Sequence, residues 1–270
     1  MTSLKDYIDS IQSKSEIMNH IDMNSICNMV GYIPNKLIET SLGKFIKMGE
    51  QGENSIVYQV KDKGISIKIM KHSDKNKREN DFYFYFSNNY INFPVVYRDI
   101  DCMACPLEEK GENISCLVVL SELYDGSLAS IKSKLSKEQI ISMVAQIISA
   151  CSVLEQLELV HGDLHSGNVL YKNIDKDDFI QTQIQDKIYN IKTFGKLWVL
   201  WDFGNMTYTG ELTPETSIRA IDTIRTDIHK FIPLVNKQYL NDLIYDLKDA
   251  PSTKVLIDYL CEKYPDIIKS

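Results

Sequence analysis

The chain has no excess of basic charge. Thirty lysines and arginines stand against 37 aspartates and glutamates in 270 residues, a formal net charge of −7. That balance argues against a nucleic-acid partner, which needs a basic face to displace counterions from phosphates. Long apolar runs are scarce too. Stretches such as Cys116–Leu120 are strand-sized, far short of the roughly 20 residues that cross a bilayer. The opening Met1-Thr2-Ser3-Leu4-Lys5-Asp6 has no basic-then-apolar layout of a secretory signal and no glycine for myristoylation. No repeat or low-complexity tract occurs. These absences lead us to expect a soluble protein of the cytoplasm, or of a virion if the source is viral, with neither nucleic acid nor membrane as partner. They leave the oligomeric state open.

Six cysteines are present, but not in a metal-binding pattern. Cys102-Met103-Ala104-Cys105 is a lone CxxC, with no second pair and no suitably spaced histidines. Cys27, Cys116, Cys151 and Cys261 sit among apolar neighbours, and most of them read as buried, reduced thiols. With 44% hydrophobic and 25% charged residues, a chain of this length can bury a core without disulfides or structural metal.

Three segments follow from the patterning. In residues 1–44, Leu4, Ile8, Ile11, Ile17, Ile21 and Ile26 recur at loosely helical spacing, which predicts a helical N-terminal extension. Residues 45–124 are richer in short β-like runs. Ile56–Val60 and Ile65–Ile69 read as strands joined by a turn at Asp62-Lys63-Gly64, and Cys116–Leu120 as a further strand. The charged stretch 72–80 leads into Asp81–Phe86, whose aromatics suit a helix packed on a sheet. In residues 125–270 the chain turns helical. Ser136 and Gln139 form a capping box, and Ile140, Ile141, Val144, Ile147, Ile148, Cys151 and Leu154 keep helical spacing. The fold expected is α+β, with a β-rich part followed by a helical one.

Two short segments carry chemistry: His161-Gly162-Asp163-Leu164-His165-Ser166-Gly167-Asn168 and Asp202-Phe203-Gly204. An aspartate five residues before an asparagine, with a second aspartate at the end of an apolar strand, suits metal–nucleotide chemistry. Amide and carboxylate oxygens hold Mg²⁺ on phosphates while another carboxylate faces the attacking hydroxyl. The chance of both patterns arising in this order is on the order of 10⁻⁴ at average residue usage.

These motifs resemble the protein-kinase-like superfamily, with its HRDxxxxN loop and DFG. The HGDLHxxN variant is similar to serine/threonine kinases of large DNA viruses and to small-molecule kinases. The resemblance implies a bilobal α+β fold and an ATP- and Mg²⁺-dependent phosphotransferase, acting on serine or threonine of a protein. It implies Asp163 as catalytic base, Asn168 and Asp202 as Mg²⁺ ligands, and His161 and Phe203 as a packing pair. Gly49, Gly52, Ser55 and Val57 then belong to a degenerate glycine-rich loop over the phosphates. Lys68, in Ile65-Ser66-Ile67-Lys68, meets the α/β-phosphates, paired with Glu79 or, as the second choice, Asp81. Ser121, Glu122, Leu123 and Tyr124 form the hinge, with backbone amides toward adenine, and Asp125-Gly126 the exit turn.

The sequence also departs from that pattern. Gly162 replaces the usual arginine, which removes a receptor for a phosphate on the activation loop. His165 stands where serine/threonine kinases carry a lysine, either neutralising the transferred phosphoryl group or only bonding the loop. Asp202 follows Asn168 at an offset of 34 positions, and the stretch between them includes an inserted or extended hairpin, a candidate docking surface. Thr213-Pro214-Glu215 comes too early for the usual APE, whereas Asp227 resembles the helical aspartate that braces the catalytic loop. Two alternative readings remain, an aminoglycoside-phosphotransferase-type small-molecule kinase and a non-catalytic pseudokinase.

Overall fold

In this computed structural model, residues 2–30, 39–40, 43–48, 55–87, 89–103, 115–131, 134–208 and 252–270 are described. The glycine-rich stretch with Gly49 and Gly52, Cys105, Thr213-Pro214-Glu215 and Asp227 lie outside them. The chain divides into two units. One comprises Ile8–Asn89 and Pro94–Tyr124, the other Met1–Tyr7, Tyr90–Phe93 and Asp125–Ser270. The expected extension 1–44 is therefore shared between them.

The first unit opens with α1 (Leu4–Asn19) and α2 (Met23–Val30), followed by β1 (Glu39–Thr40), β2 (Gly43–Met48), β3 (Ser55–Val60), β4 (Ile65–Lys71), α3 (Asp74–Ser87), β5 (Val96–Cys102) and β6 (Cys116–Glu122). The strands form one sheet in the order β1-β2-β3-β4-β6-β5, antiparallel throughout. Between β3 and β4 the chain reverses through a 3₁₀ turn that ends on Gly64, at φ 62°. A glycine adopts that left-handed conformation without steric cost.

Strand β4 is central, and its alternation sorts two faces. Ile65, Ile67 and Ile69 join Ile56, Tyr58, Val60, Val118 and Leu120 in a core closed by Met18, Met23 and Ile26 of the helices. Each of the three β4 isoleucines is fully buried, which contributes roughly 1.5–3 kcal/mol apiece. Ser66, Lys68 and Met70 alternate to the opposite face, the side of α3, where Phe82, Tyr83 and Phe86 are buried. Helix α3 starts at Asp74 and so takes in most of the charged stretch that was expected only to precede it.

The α1 stripe differs from the expected one. Ile8 and Ile17 are exposed, whereas Tyr7 and Met18 are buried and Ile11 packs on the core. Lys14 lies on the same stripe and reaches the carboxylate of Glu122 at 2.8 and 3.0 Å. Glu122 is fully buried and also accepts from the Tyr97 hydroxyl at 2.6 Å. Burial and this carboxylate push the Tyr97 phenol well above its ordinary pKa. A charge on α1 thus anchors the helix where an apolar periodicity would place an isoleucine.

The cysteine expectation is corrected. Cys27 of α2 and Cys102 of β5 form a disulfide across 75 residues. Their Cα atoms stand 5.2 Å apart, within the span a disulfide bridges. Cys116 and Cys151, both buried, and Cys261, of intermediate burial, stand outside this disulfide. On chain entropy alone, closing such a loop contributes about 4.5 kcal/mol. We expect Cys102→Ser to lower the denaturation midpoint markedly, and reducing agent to bring the wild type down to the same value. Equal midpoints with and without reductant would show that the bridge adds nothing.

The second unit contains β7 (Gly126–Ser127), α4 (Leu128–Ile131), α5 (Lys137–Gln156), β8 (Leu159–Val160), β9 (Val169–Asn173), β10 (Phe179–Ile184), β11 (Lys187–Lys192), β12 (Lys196–Leu200), β13 (Thr207–Tyr208), α6 (Thr253–Lys263) and β14 (Ile268–Lys269). It holds more strand than the helical expectation allowed. The capping box at Ser136 is present in both directions. Helix α5 is long and apolar enough to cross a membrane, contrary to the expectation that no segment approaches that length. However, 78% of its apolar window is buried inside the protein, as in the core helix of a globular fold.

A polar row on α5 receives the long excursion. Ser142 donates to the Lys192 carbonyl at 2.6 Å, Gln146 donates to the Lys196 carbonyl at 3.0 Å, and the Gln146 amide oxygen accepts from Trp198 N–H at 2.9 Å. The excursion itself is the β10–β11 hairpin, paired with β14. It delivers β12 antiparallel to β9, which places the end of β12 beside the start of β9.

Candidate active site

In the first unit, Lys68 stands on β4 with Val57 of β3 and Val119 of β6 directly opposite it. Its ammonium lies 2.6 Å from the Glu79 carboxylate and donates to the Tyr83 hydroxyl at 3.3 Å. Tyr83 in turn donates to the same Glu79 oxygen at 2.8 Å. Glu79 and Tyr83 are one helical turn apart on α3, so both reach one point. All three side chains are buried. Asp81 is exposed on the far side of α3 and takes no part. A buried ammonium and carboxylate each carry a large desolvation cost, and close pairing with a third hydrogen-bonding group offsets it. Tyr83 escaped the sequence reading, although its spacing from Glu79 was visible.

Two of the four amides expected at the hinge have partners within the first unit. The Glu122 amide donates to the Val95 carbonyl and the Leu123 amide to the Gly64 carbonyl, both at 2.9 Å. Those two donors hold the end of β6 to the segment before β5 and to the turn before β4. Ser121 shares a 2.8 Å hydroxyl pair with Ser66 on the Lys68 face of the sheet.

In the second unit, β8 leads into the loop His161–Asn168 and β9 leaves it. His161 is buried and uses both ring nitrogens. Its Nε2–H donates to the Trp201 carbonyl at 3.0 Å, and Nδ1 accepts from Asp163 N–H at 3.4 Å. Phe203 packs edge-on against its ring at 5.7 Å, and Phe93 packs on Phe203 at 6.0 Å.

Burial holds the His161 pKa below its ordinary 6.5, outweighing the raising effect of the Trp201 carbonyl and the Asp202 and Asp163 charges. The folded chain therefore binds fewer protons than the unfolded one once pH falls below about 6.5, and stability drops there. We expect His161→Gln to flatten that acid slope in denaturant titrations at pH 7 and pH 5. An unchanged slope would assign the acid sensitivity to other groups.

Asn168 donates its side-chain amide to the Asp163 carbonyl at 2.9 Å, which leaves its oxygen for another partner. The loop is tied further by Asn168 N–H to the His165 carbonyl and by Trp201 N–H to the Asn168 carbonyl. Asp202 follows β12 at φ 66°, a strained conformation for a non-glycine residue that is common at functional sites. The Asp163 side chain is 44% exposed, with one oxygen 4.0 Å from His165 Nε2. His165 Nδ1 accepts from Gly167 N–H at 3.0 Å, so its proton sits on Nε2, toward Asp163.

Gly162 has a structural reason. Its φ is 78°, and a Cβ there would lie 2.4 Å from the Asn205 carbonyl oxygen. No side chain fits, an arginine included.

An α+β chain with a lysine–glutamate pair in a β-rich unit and an HxDxxxxN loop followed by DFG in a second unit has the build of a protein kinase. Residues 3–201, well over half of the chain, match the protein tyrosine and serine/threonine kinase family, and the chain belongs to it. No curated protein matches it.

Proposed function

We propose that this kinase transfers the γ-phosphoryl group of ATP, with Mg²⁺, to serine or threonine hydroxyls of a protein. The carrying observation is Asp163. Its backbone is fixed by Asn168, while its carboxylate remains open to an incoming hydroxyl. In the reaction, the Asp163 carboxylate takes the proton of the acceptor hydroxyl. The acceptor oxygen forms a bond to the γ-phosphorus, and the bond from that phosphorus to the bridging oxygen breaks, leaving ADP.

Lys68, held in place by Glu79 and Tyr83, is assigned to the α/β-phosphates. Val57 and Ser55 of β3, with Gly49 and Gly52 before them, are assigned to the phosphate cover. The donor set suits Mg²⁺, which binds through one or two protein oxygens together with substrate phosphates and water. The Asn168 oxygen and the Asp202 carboxylate supply those protein ligands, and the ion when bound neutralises phosphate charge. Among the described residues no group of three or more His, Cys, Asp or Glu side chains forms a metal cage of its own. His165 supports serine/threonine chemistry, since its Nε2–H lies beside Asp163 where kinases of this kind carry a lysine. Gly162 leaves no arginine to receive an activation-loop phosphate, so phosphatase-treated enzyme should keep its activity; loss of activity would contradict this.

The test is label transfer from γ-labelled ATP with Mg²⁺ to casein, a basic protein and the enzyme itself, followed by phosphoamino-acid analysis. Label on serine or threonine supports the proposal, whereas label only on tyrosine would overturn the specificity. ATP turnover without protein label would point to a small-molecule acceptor. Nucleotide binding without turnover would indicate a pseudokinase.

A further inference from the structure

We infer that Asn205, the residue after Asp202-Phe203-Gly204, is a positioning residue that aims the Asp163 carboxylate. The inference rests on the function proposed above and adds a residue to it. Asn205 Nδ2 donates to one Asp163 carboxylate oxygen at 3.3 Å, while the other oxygen faces His165 Nε2 at 4.0 Å. A half-exposed aspartate can rotate about two side-chain torsions. A donor on one oxygen selects a rotamer and turns the other oxygen toward the acceptor.

The placement of Asn205 is enforced by the fold rather than by its own side chain. Strand β8 enters the catalytic loop, and β13 begins two residues after Asn205. The two pair through Thr207↔Val160 and Tyr208↔Leu159. This short ladder brackets the segment between them. A turn from Met206 N–H to the Phe203 carbonyl, at 3.0 Å, holds the intervening residues. The Asn205 carbonyl then lies so close to Gly162 that only a glycine fits there. The loss of the usual arginine before Asp163 and the presence of an amide after the DFG therefore belong to one arrangement. The glycine admits the Asn205 backbone, and the Asn205 side chain holds the base.

Geometry of this kind acts on the chemical step rather than on nucleotide binding, and a misaimed group commonly lowers rate by 10- to 100-fold. The experiment compares wild type, Asn205→Ala, Asn205→Asp, Asn205→Ser and Asp163→Asn in phosphoryl transfer, with the KM for ATP and the melting temperature measured for each. Asn205→Ala and the isosteric Asn205→Asp, which cannot donate, should each lose roughly 10- to 100-fold in kcat. Their KM for ATP should stay within about twofold of wild type and their melting temperatures unchanged. Asn205→Ser, which keeps a shorter donor, should recover part of the loss. Wild-type kcat in the Ala and Asp variants alongside an inactive Asp163→Asn would overturn the inference and leave the proposed function standing. A loss that tracks melting temperature or KM would overturn it as well, by making Asn205 merely structural. Full activity in Asp163→Asn would instead overturn the function on which the inference rests.

Discussion

Asp163→Asn is expected to lower kcat by roughly 10²–10⁴-fold, the range a positioned general base contributes. The substitution keeps the shape of the side chain and the backbone carbonyl that Asn168 grips. It removes only the ability to accept a proton from the acceptor hydroxyl. Affinity for ATP should therefore change little, because the residues assigned to the nucleotide lie elsewhere. A kcat within a few-fold of wild type would remove Asp163 from the chemistry.

The second large effect concerns Lys68. Its partners Glu79 and Tyr83 are as buried as the lysine, so Lys68→Met leaves a carboxylate in an apolar environment without its cation. Breaking a buried pair in this way costs about 3–5 kcal/mol, and activity should fall with loss of the phosphate contact. Stability and function are separable. In Lys68→Met/Glu79→Leu no charge is left unpaired, so much of the stability should return while activity stays absent. With Glu79→Leu measured alongside, the cycle gives the coupling energy of the pair. If the double variant were no more stable than Lys68→Met, the ion pair would not be what holds α3 to β4. Retained activity in either variant would remove Lys68 from the phosphates.

Much of this was legible because local rules carried it. The strand–turn–strand around Gly64, the Ser136–Gln139 cap and the apolar row of α5 depend on neighbours a few residues apart. The HGDLHSGN and DFG segments are short contiguous patterns, and the Lys68–Glu79 pair followed once they set the frame. The features that were missed depend on distant partners. Nothing local pairs Cys27 with Cys102 across 75 residues, and nothing in α1 announces that Lys14 rather than an isoleucine faces the sheet. Ser142 and Gln146 look like ordinary polar breaks in an apolar helix until the backbone of β11 and β12 arrives to meet them. The partners of the Glu122 and Leu123 amides, at Val95 and Gly64, are likewise distant in sequence. Asn205 was passed over for a similar reason. Its reach to Asp163 follows from the β8–β13 ladder, two residues on each side, too short to register as strands in a sequence.

We propose a single base, Asp163, for phosphoryl transfer, with Lys68 of β4 assigned to the phosphates of ATP. It is tested most directly by label transfer from γ-labelled ATP and nucleotide affinity, measured on the same preparations of wild type and Asp163→Asn. Labelled protein acceptor is expected only with wild type, and equal ATP affinity for both proteins. Equal label from both would contradict it.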